Sequence, residues 1–130
     1  MINKTRILIV DDDREFTNML NTFLSTIKDF EVVGSAYNGK EAVDMIFHSH
    51  PDLVILDIIM PILDGIGVMQ RIKESDLNNK PEILVLSSVS QVVMTKEAIN
   101  LGASCFMLKP FELEVLEKRI RDIIDRKSVV

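Results

Sequence analysis

Three observations predict an α/β fold in which a doubly wound, five-stranded parallel sheet lies between two layers of helices. Five short β-rich segments alternate with five segments of helical period. Three of the strand candidates, Ile7-Leu8-Ile9-Val10, Leu53-Val54-Ile55-Leu56 and Ile83-Leu84-Val85-Leu86, are unbroken apolar runs, the pattern of strands covered on both faces. The chain has 130 residues, 47% hydrophobic and 27% charged, which suits one domain with a substantial core and excludes low complexity. Strict alternation in so short a chain implies right-handed crossovers.

The first strand is expected at Arg6–Val10. Phe16, Met19, Leu20, Phe23, Leu24 and Ile27 then recur at three- and four-residue spacing, the apolar stripe of an amphipathic helix. A second strand, Glu31–Ala36, precedes Asn38-Gly39, which opens a helix running to about Phe47. Pro51 and Pro81 each stand two residues before a strand and stop the preceding segment from continuing as helix. The third strand is Leu53–Leu56, and Asp64-Gly65 opens the third helix, to about Glu74. The fourth strand is Ile83–Leu86; Ser90 opens the fourth helix, which ends at Leu101 where Gly102 supplies a left-handed cap. Cys105–Leu108 is the fifth strand, and Leu113, Leu116, Ile120, Ile123 and Ile124 stripe the last helix. With no repeat or linker, residues 1–130 read as a single domain.

The charge balance, 15 basic against 20 acidic side chains for a net −5, excludes a nucleic-acid-binding surface on this domain. No apolar run approaches a membrane span, and the apolar stretch after Met1-Ile2-Asn3-Lys4 is too short for a signal peptide, so a cytoplasmic location is expected. A lone Cys105 fits a reducing compartment and reads as a small buried hydrophobe. The Met residues read as core filler, and His48 and His50 suit a helix C-terminus better than a metal site.

In doubly wound sheets, sites lie at the carboxyl ends of the strands. There the first strand delivers Asp11-Asp12-Asp13 and the third delivers Asp57. Asp13 reads as the cap of the first helix; Asp11 and Asp12, with Asp57, read as ligands for a hard divalent cation such as Mg²⁺. The fourth strand ends in Ser87-Ser88, a hydroxyl donor for an anionic oxygen, and the fifth in Lys109-Pro110, a fixed ammonium held at the strand end because residues before proline favour extended backbone. An anion site thus stands beside a metal site. The isomer of the Lys109-Pro110 bond is left open.

These residues resemble the receiver domains of two-component response regulators. The match runs along the whole chain: Asp11-Asp12 after an apolar strand, Asp57 followed by Met60-Pro61 and Asp64-Gly65, Ser87 with small Ser88, and Lys109-Pro110-Phe111. The resemblance implies strand order 2-1-3-4-5, a flavodoxin-like three-layer sandwich, with Asp57 as phosphoacceptor. It also implies Mg²⁺ ligation by Asp11, Asp12, Asp57 and the backbone carbonyl of Ile59, charge pairing of Lys109 with the phosphoryl oxygens, and a switch through Ser87 and Phe106. Many relatives carry Tyr where this chain has Phe106, so here only burial or exposure of a ring is available to report the switch; the plainer alternative is a core aromatic. The domain would be no enzyme in the usual sense but a phosphoacceptor assisting its own phosphotransfer and dephosphorylation. Implied partners are a histidine kinase or histidine phosphotransferase and an output DNA-binding domain or effector protein, with the fourth helix, fifth strand and fifth helix as output face.

On the fourth helix Met94, Ala98 and Leu101 share one stripe, leaving Val92 and Ile99 opposite for an effector or a homodimer partner. Ile59 and Val89 are bulky and apolar where attacking water would approach, so slow autodephosphorylation is expected. More narrowly, Ala36-Tyr37-Asn38-Gly39, Leu56-Asp57-Ile58-Ile59-Met60-Pro61, Glu74-Ser75-Asp76-Leu77, Thr95-Lys96 and Leu101-Gly102-Ala103-Ser104 resemble the receiver of the master sporulation transcription factor of spore-forming Firmicutes. A single-domain phosphate shuttle is the alternative. A Mg²⁺-dependent phosphohydrolase would need a cap or a further acid-base group, and a flavin binder would need a Ser/Thr/Gly-rich loop where Asp11-Asp12-Asp13 stands.

Overall fold

The three apolar runs form the centre of a five-stranded, all-parallel sheet in a computed structural model that describes residues 3–128. The strands are β1 (Thr5–Val10), β2 (Phe30–Ala36), β3 (Leu53–Asp57), β4 (Glu82–Ser87) and β5 (Cys105–Leu108), in the order β2-β1-β3-β4-β5. Alternating with them are α1 (Arg14–Ser25), α2 (Gly39–Ser49), α3 (Gly65–Lys73), α4 (Val92–Asn100) and α5 (Leu113–Ser128). The reading of residues 1–130 as one domain extends to Met1, Ile2, Val129 and Val130, which lie outside the described residues.

Because side chains alternate along a strand, each central strand feeds two cores. Ile7, Ile9, Leu53, Ile55, Leu84 and Leu86 pack on Leu20 and Leu24 of α1 and on Leu116, Ile120 and Ile123 of α5. Leu8, Val10, Val54, Leu56, Ile83 and Val85 pack on Ala42 and Ile46 of α2, on Ile66, Met69 and Ile72 of α3, and on Ala98 of α4. Each fully buried aliphatic side chain contributes about 1.5–3 kcal/mol. α1 steps from β1 to one side and α2, α3 and α4 step to the other, on opposite faces, so all four crossovers share one hand. The direction reverses between β1 and β3, which places the sheet's carboxyl-end crevice there.

Several local expectations are corrected. Ser90 does not open the fourth helix: a 3₁₀ turn, Val89–Gln91, intervenes, with the Ser88 amide donating to Gln91 Oε1 (2.9 Å), and α4 begins only at Val92. α2 runs to Ser49 and stops on His50, itself left-handed (φ 50°) with its amide on Ile46 O. His48 Nδ1 lies 2.7 Å from Asp44 O, a helix-end contact as expected. Cys105 is half-buried rather than buried, and its Sγ accepts from Arg119 Nη1 (3.7 Å). Met60, Met69 and Met107 fill the cores, but Met19 is exposed. Gly102 does take the left-handed conformation (φ 104°).

Candidate functional site

Register alone brings the carboxyl-end residues together. Val10 pairs with Leu56 across β1 and β3, so the next residues, Asp11 and Asp57, emerge side by side. Asp57 pairs with Leu86 and Ser87 with Leu108, which sets Ser87 next along and Lys109 after it; the Lys109 amide donates to Ser87 O (2.8 Å). The Lys109–Pro110 bond is cis. Between β3 and α3 the chain turns back so tightly that Gly65 N–H reaches Ile58 O (2.7 Å), and a Cβ on Gly65 would stand 2.6 Å from Asp57 O. Only glycine lets α3 start this close to the acid.

Carboxylate oxygens of Asp11, Asp12 and Asp57 all lie within 4.8 Å of one another. Asp11 and Asp57 are buried and Asp12 is exposed. Asp11 is held from both sides: Oδ1 accepts the Asp13 amide (2.9 Å) and Oδ2 accepts the Lys109 ammonium (2.7 Å). The same ammonium is 3.9 Å from Asp57 Oδ2. Burial, and then the charge of Asp11, push the Asp57 carboxyl up to about 6, against the opposing pull of Lys109 and of the Ile59 amide that donates to it. Asp13 stands apart as the cap of α1, accepting from Phe16 N (3.2 Å), as its position suggests. Three carboxylates facing one ammonium, all donors oxygen, fit a hard divalent cation.

Ser87 Oγ is the site's unsatisfied atom. The residue is 1% exposed, and Oγ has no hydrogen-bond partner among the described residues. A buried hydroxyl without a partner costs the folded state about 1–3 kcal/mol, which a ligand oxygen would relieve. Ile59 and Val89, two residues beyond Asp57 and Ser87 in the chain, have exposed side chains. Phe106 is 41% exposed, which rules out the core-aromatic reading; it lines a groove with Ile99, Cys105, Val115 and Arg119. On α4, Ala98 is buried, Met94 and Leu101 pack against the core, and Val92 and Ile99 are exposed, as the stripe requires.

One residue at the site, Phe16, shows in the sequence only as part of a core stripe. The Lys109 ammonium lies over the ring of Phe16, 4.4 Å from its centroid, and Phe16 meets Phe111 nearly perpendicularly, with centroids 6.0 Å apart. The available signal was its place in the first turn of a helix that starts at the acid cluster.

A family profile described as the response regulator receiver domain matches residues 7–121. Among solved structures, the signal receiver domain of a response regulator from Bermanella marisrubri is 31% identical, with 94% of this chain and 99% of that one covered and a TM-score of 0.83. The response regulator domain of Thermotoga maritima CheB is 28% identical over 98% of this chain and 99% of its own, with a TM-score of 0.83. The signal receiver domain of the Mycobacterium tuberculosis regulator NarL is also 28% identical, over 92% and 95%, with a TM-score of 0.84.

Proposed function

Since the chain belongs to the response regulator receiver domain family, we propose that Asp57 is its phosphoacceptor and that the cluster around it carries out Mg²⁺-dependent phosphorylation. The observation that carries this reading is the gathering of three carboxylate oxygens within 4.8 Å around Asp57, with an ammonium 2.7 Å from Asp11 and 3.9 Å from Asp57.

The chemistry asks little of the protein beyond placement and charge. Asp57, mostly ionised at neutral pH, presents a carboxylate oxygen as nucleophile. Lys109 has donors to spare beyond its bond to Asp11 and takes up charge on the phosphoryl oxygens. Asp11, Asp12, Asp57 and the Ile59 carbonyl would hold Mg²⁺, which would supply hard positive charge to offset the negative charge gathered at the site.

Ser87 supplies the switch. Among the described residues its hydroxyl has no partner, and a phosphoryl oxygen on Asp57 gives it a charge-assisted one, worth about 1.5–3 kcal/mol. A conformational equilibrium moves by the difference a ligand makes between its two states, and this is such a difference. Phe106, Ile99 and Val92 carry the response outward on the α4–β5–α5 face, towards an output DNA-binding domain, an effector protein or a second copy. The donor is a histidine kinase or histidine phosphotransferase, in the cytoplasm. Bulky Ile59 and Val89 slow the approach of water to the acyl phosphate. The narrower relation to the sporulation regulator rests on the phrases around Asn38-Gly39, Asp57, Glu74-Ser75-Asp76-Leu77, Thr95-Lys96 and Gly102 alone, and would make the output transcriptional.

Incubation with acetyl phosphate, with and without Mg²⁺, followed by intact mass and sizing, tests the reading. A single phosphate-sized increment that needs Mg²⁺ and is lost in Asp57→Asn is expected; an increment that survives the substitution overturns it.

A further inference from the structure

Phe16 closes a circuit of contacts around Lys109. Asp11 Oδ2 accepts from the ammonium, Asp11 Oδ1 accepts the Asp13 amide, Asp13 Oδ1 accepts the Phe16 amide, and the Phe16 ring receives the same ammonium at 4.4 Å. Two hydrogen bonds, one in the turn at Asp11 and one in the α1 cap, thus tie the Phe16 backbone to the acid. Phe111, just beyond Lys109-Pro110, braces the ring from β5's side at an interplanar angle of 85°.

The geometry around Lys109 is otherwise lopsided. Its ammonium is hydrogen-bonded to Asp11 but stands 3.9 Å from Asp57, and it must serve oxygens on Asp57 to neutralise an incoming phosphoryl group. A carboxylate holds an ammonium by a directed bond. An aromatic face holds it through the ring quadrupole, not through one acceptor atom, so it constrains position while leaving the ammonium hydrogens to point at other oxygens.

We infer that Phe16 is a positioning residue for the Lys109 ammonium, its ring face keeping that charge beside Asp57 and so raising the rate of phosphorylation. The inference rests on the phosphoacceptor reading for its rate but not for its placement. In the step concerned, an Asp57 oxygen bonds to the phosphorus of acetyl phosphate, the bond from phosphorus to the acetyl oxygen breaks, and acetate leaves with the electron pair. Lys109 keeps its protons throughout.

The test uses single-turnover phosphorylation by acetyl phosphate with Mg²⁺, read by intact mass, on protein carrying mono-, di- or trifluorophenylalanine at position 16. Fluorination drains the ring face while nearly preserving its shape, so a packing role predicts a flat series and unchanged rates. The expected result is a logarithm of rate that falls steadily with fluorination, a Phe16→Leu loss of roughly 3- to 10-fold, and Phe16→Tyr close to wild type. Melting temperatures across the fluorinated series should not follow the rates. A flat series, or rates that track melting, overturns the inference. A second readout needs no phosphate: ring current should shift the Lys109 ε-methylene proton signals upfield in wild type and release them in Phe16→Leu. Unshifted signals in wild type refute the placement. Shifted signals in a protein that takes up no phosphate refute the phosphoacceptor reading and the rate claim with it, leaving the placement standing.

Discussion

Replacing Asp57 with Asn probes the charge stored in the site before any phosphate arrives. In the folded protein, burial and the charge of Asp11 push the Asp57 carboxyl up to about 6, from an ordinary value of 3.8. A raised pKa means that the folded state holds this proton more tightly than the unfolded chain does. The stabilisation is therefore fully present below about pH 4, is lost as pH rises through 6, and stays absent above it. At about 1.4 kcal/mol per pK unit, the ionised carboxylate costs the metal-free folded state roughly 3 kcal/mol at pH 8 and about half of that at pH 5. Asn keeps the shape, and an acceptor for the Ile59 amide, without the charge. In Mg²⁺-free buffer with chelator, urea unfolding should find Asp57→Asn more stable than wild type by roughly 1–3 kcal/mol at pH 8, with the gap narrowing towards pH 5. A variant no more stable than wild type at pH 8, or a gap indifferent to pH, would refute the charge argument.

Ser87→Ala removes a buried hydroxyl that has no partner among the described residues, so it should stabilise the unphosphorylated domain by about 1 kcal/mol while shrinking the rise in melting temperature that phosphorylation brings; an equal rise in both proteins contradicts the switch role. Ile62 holds a left-handed backbone (φ 71°) with its side chain exposed, and Ile62→Gly should raise stability in urea by about 1 kcal/mol; a loss would show that the exposed side chain matters more than the backbone. Exchanging Ile59 and Val89 together for Asn and Gln should speed loss of phosphate from the isolated Mg²⁺-bound domain by roughly 10-fold, followed by intact mass over time, whereas fast loss in wild type that the exchange leaves unchanged removes the water-exclusion argument.

The strands were legible because a strand buried on both faces must be written as an unbroken apolar run, and the residues that end those runs are carried to one edge by parallel register. Asp11, Asp57, Ser87 and Lys109 followed from that rule. What the sequence concealed has physical causes. Ser90 looks like a helix cap, but the Gln91 side chain turns back to the Ser88 amide and winds a 3₁₀ turn first. His50 and Ile62 adopt left-handed backbone that their side chains disfavour, so nothing in their type announces it. Cys105 reads as buried because short apolar strands usually are, whereas β5 is an edge strand and leaves its sulfur half open to Arg119. Phe16 belongs to a core stripe and to the Lys109 site at once, and periodicity registers only the first.

Chemical trapping of the phosphorylated residue tests the central assignment most directly. Borohydride reduces an acyl phosphate of aspartate to homoserine, so protein treated with acetyl phosphate and Mg²⁺, reduced and then mapped by peptide mass should carry homoserine at position 57 and nowhere else. Homoserine at position 11 or 12, or phosphate retained on Ser87 or Ser88, would contradict the assignment.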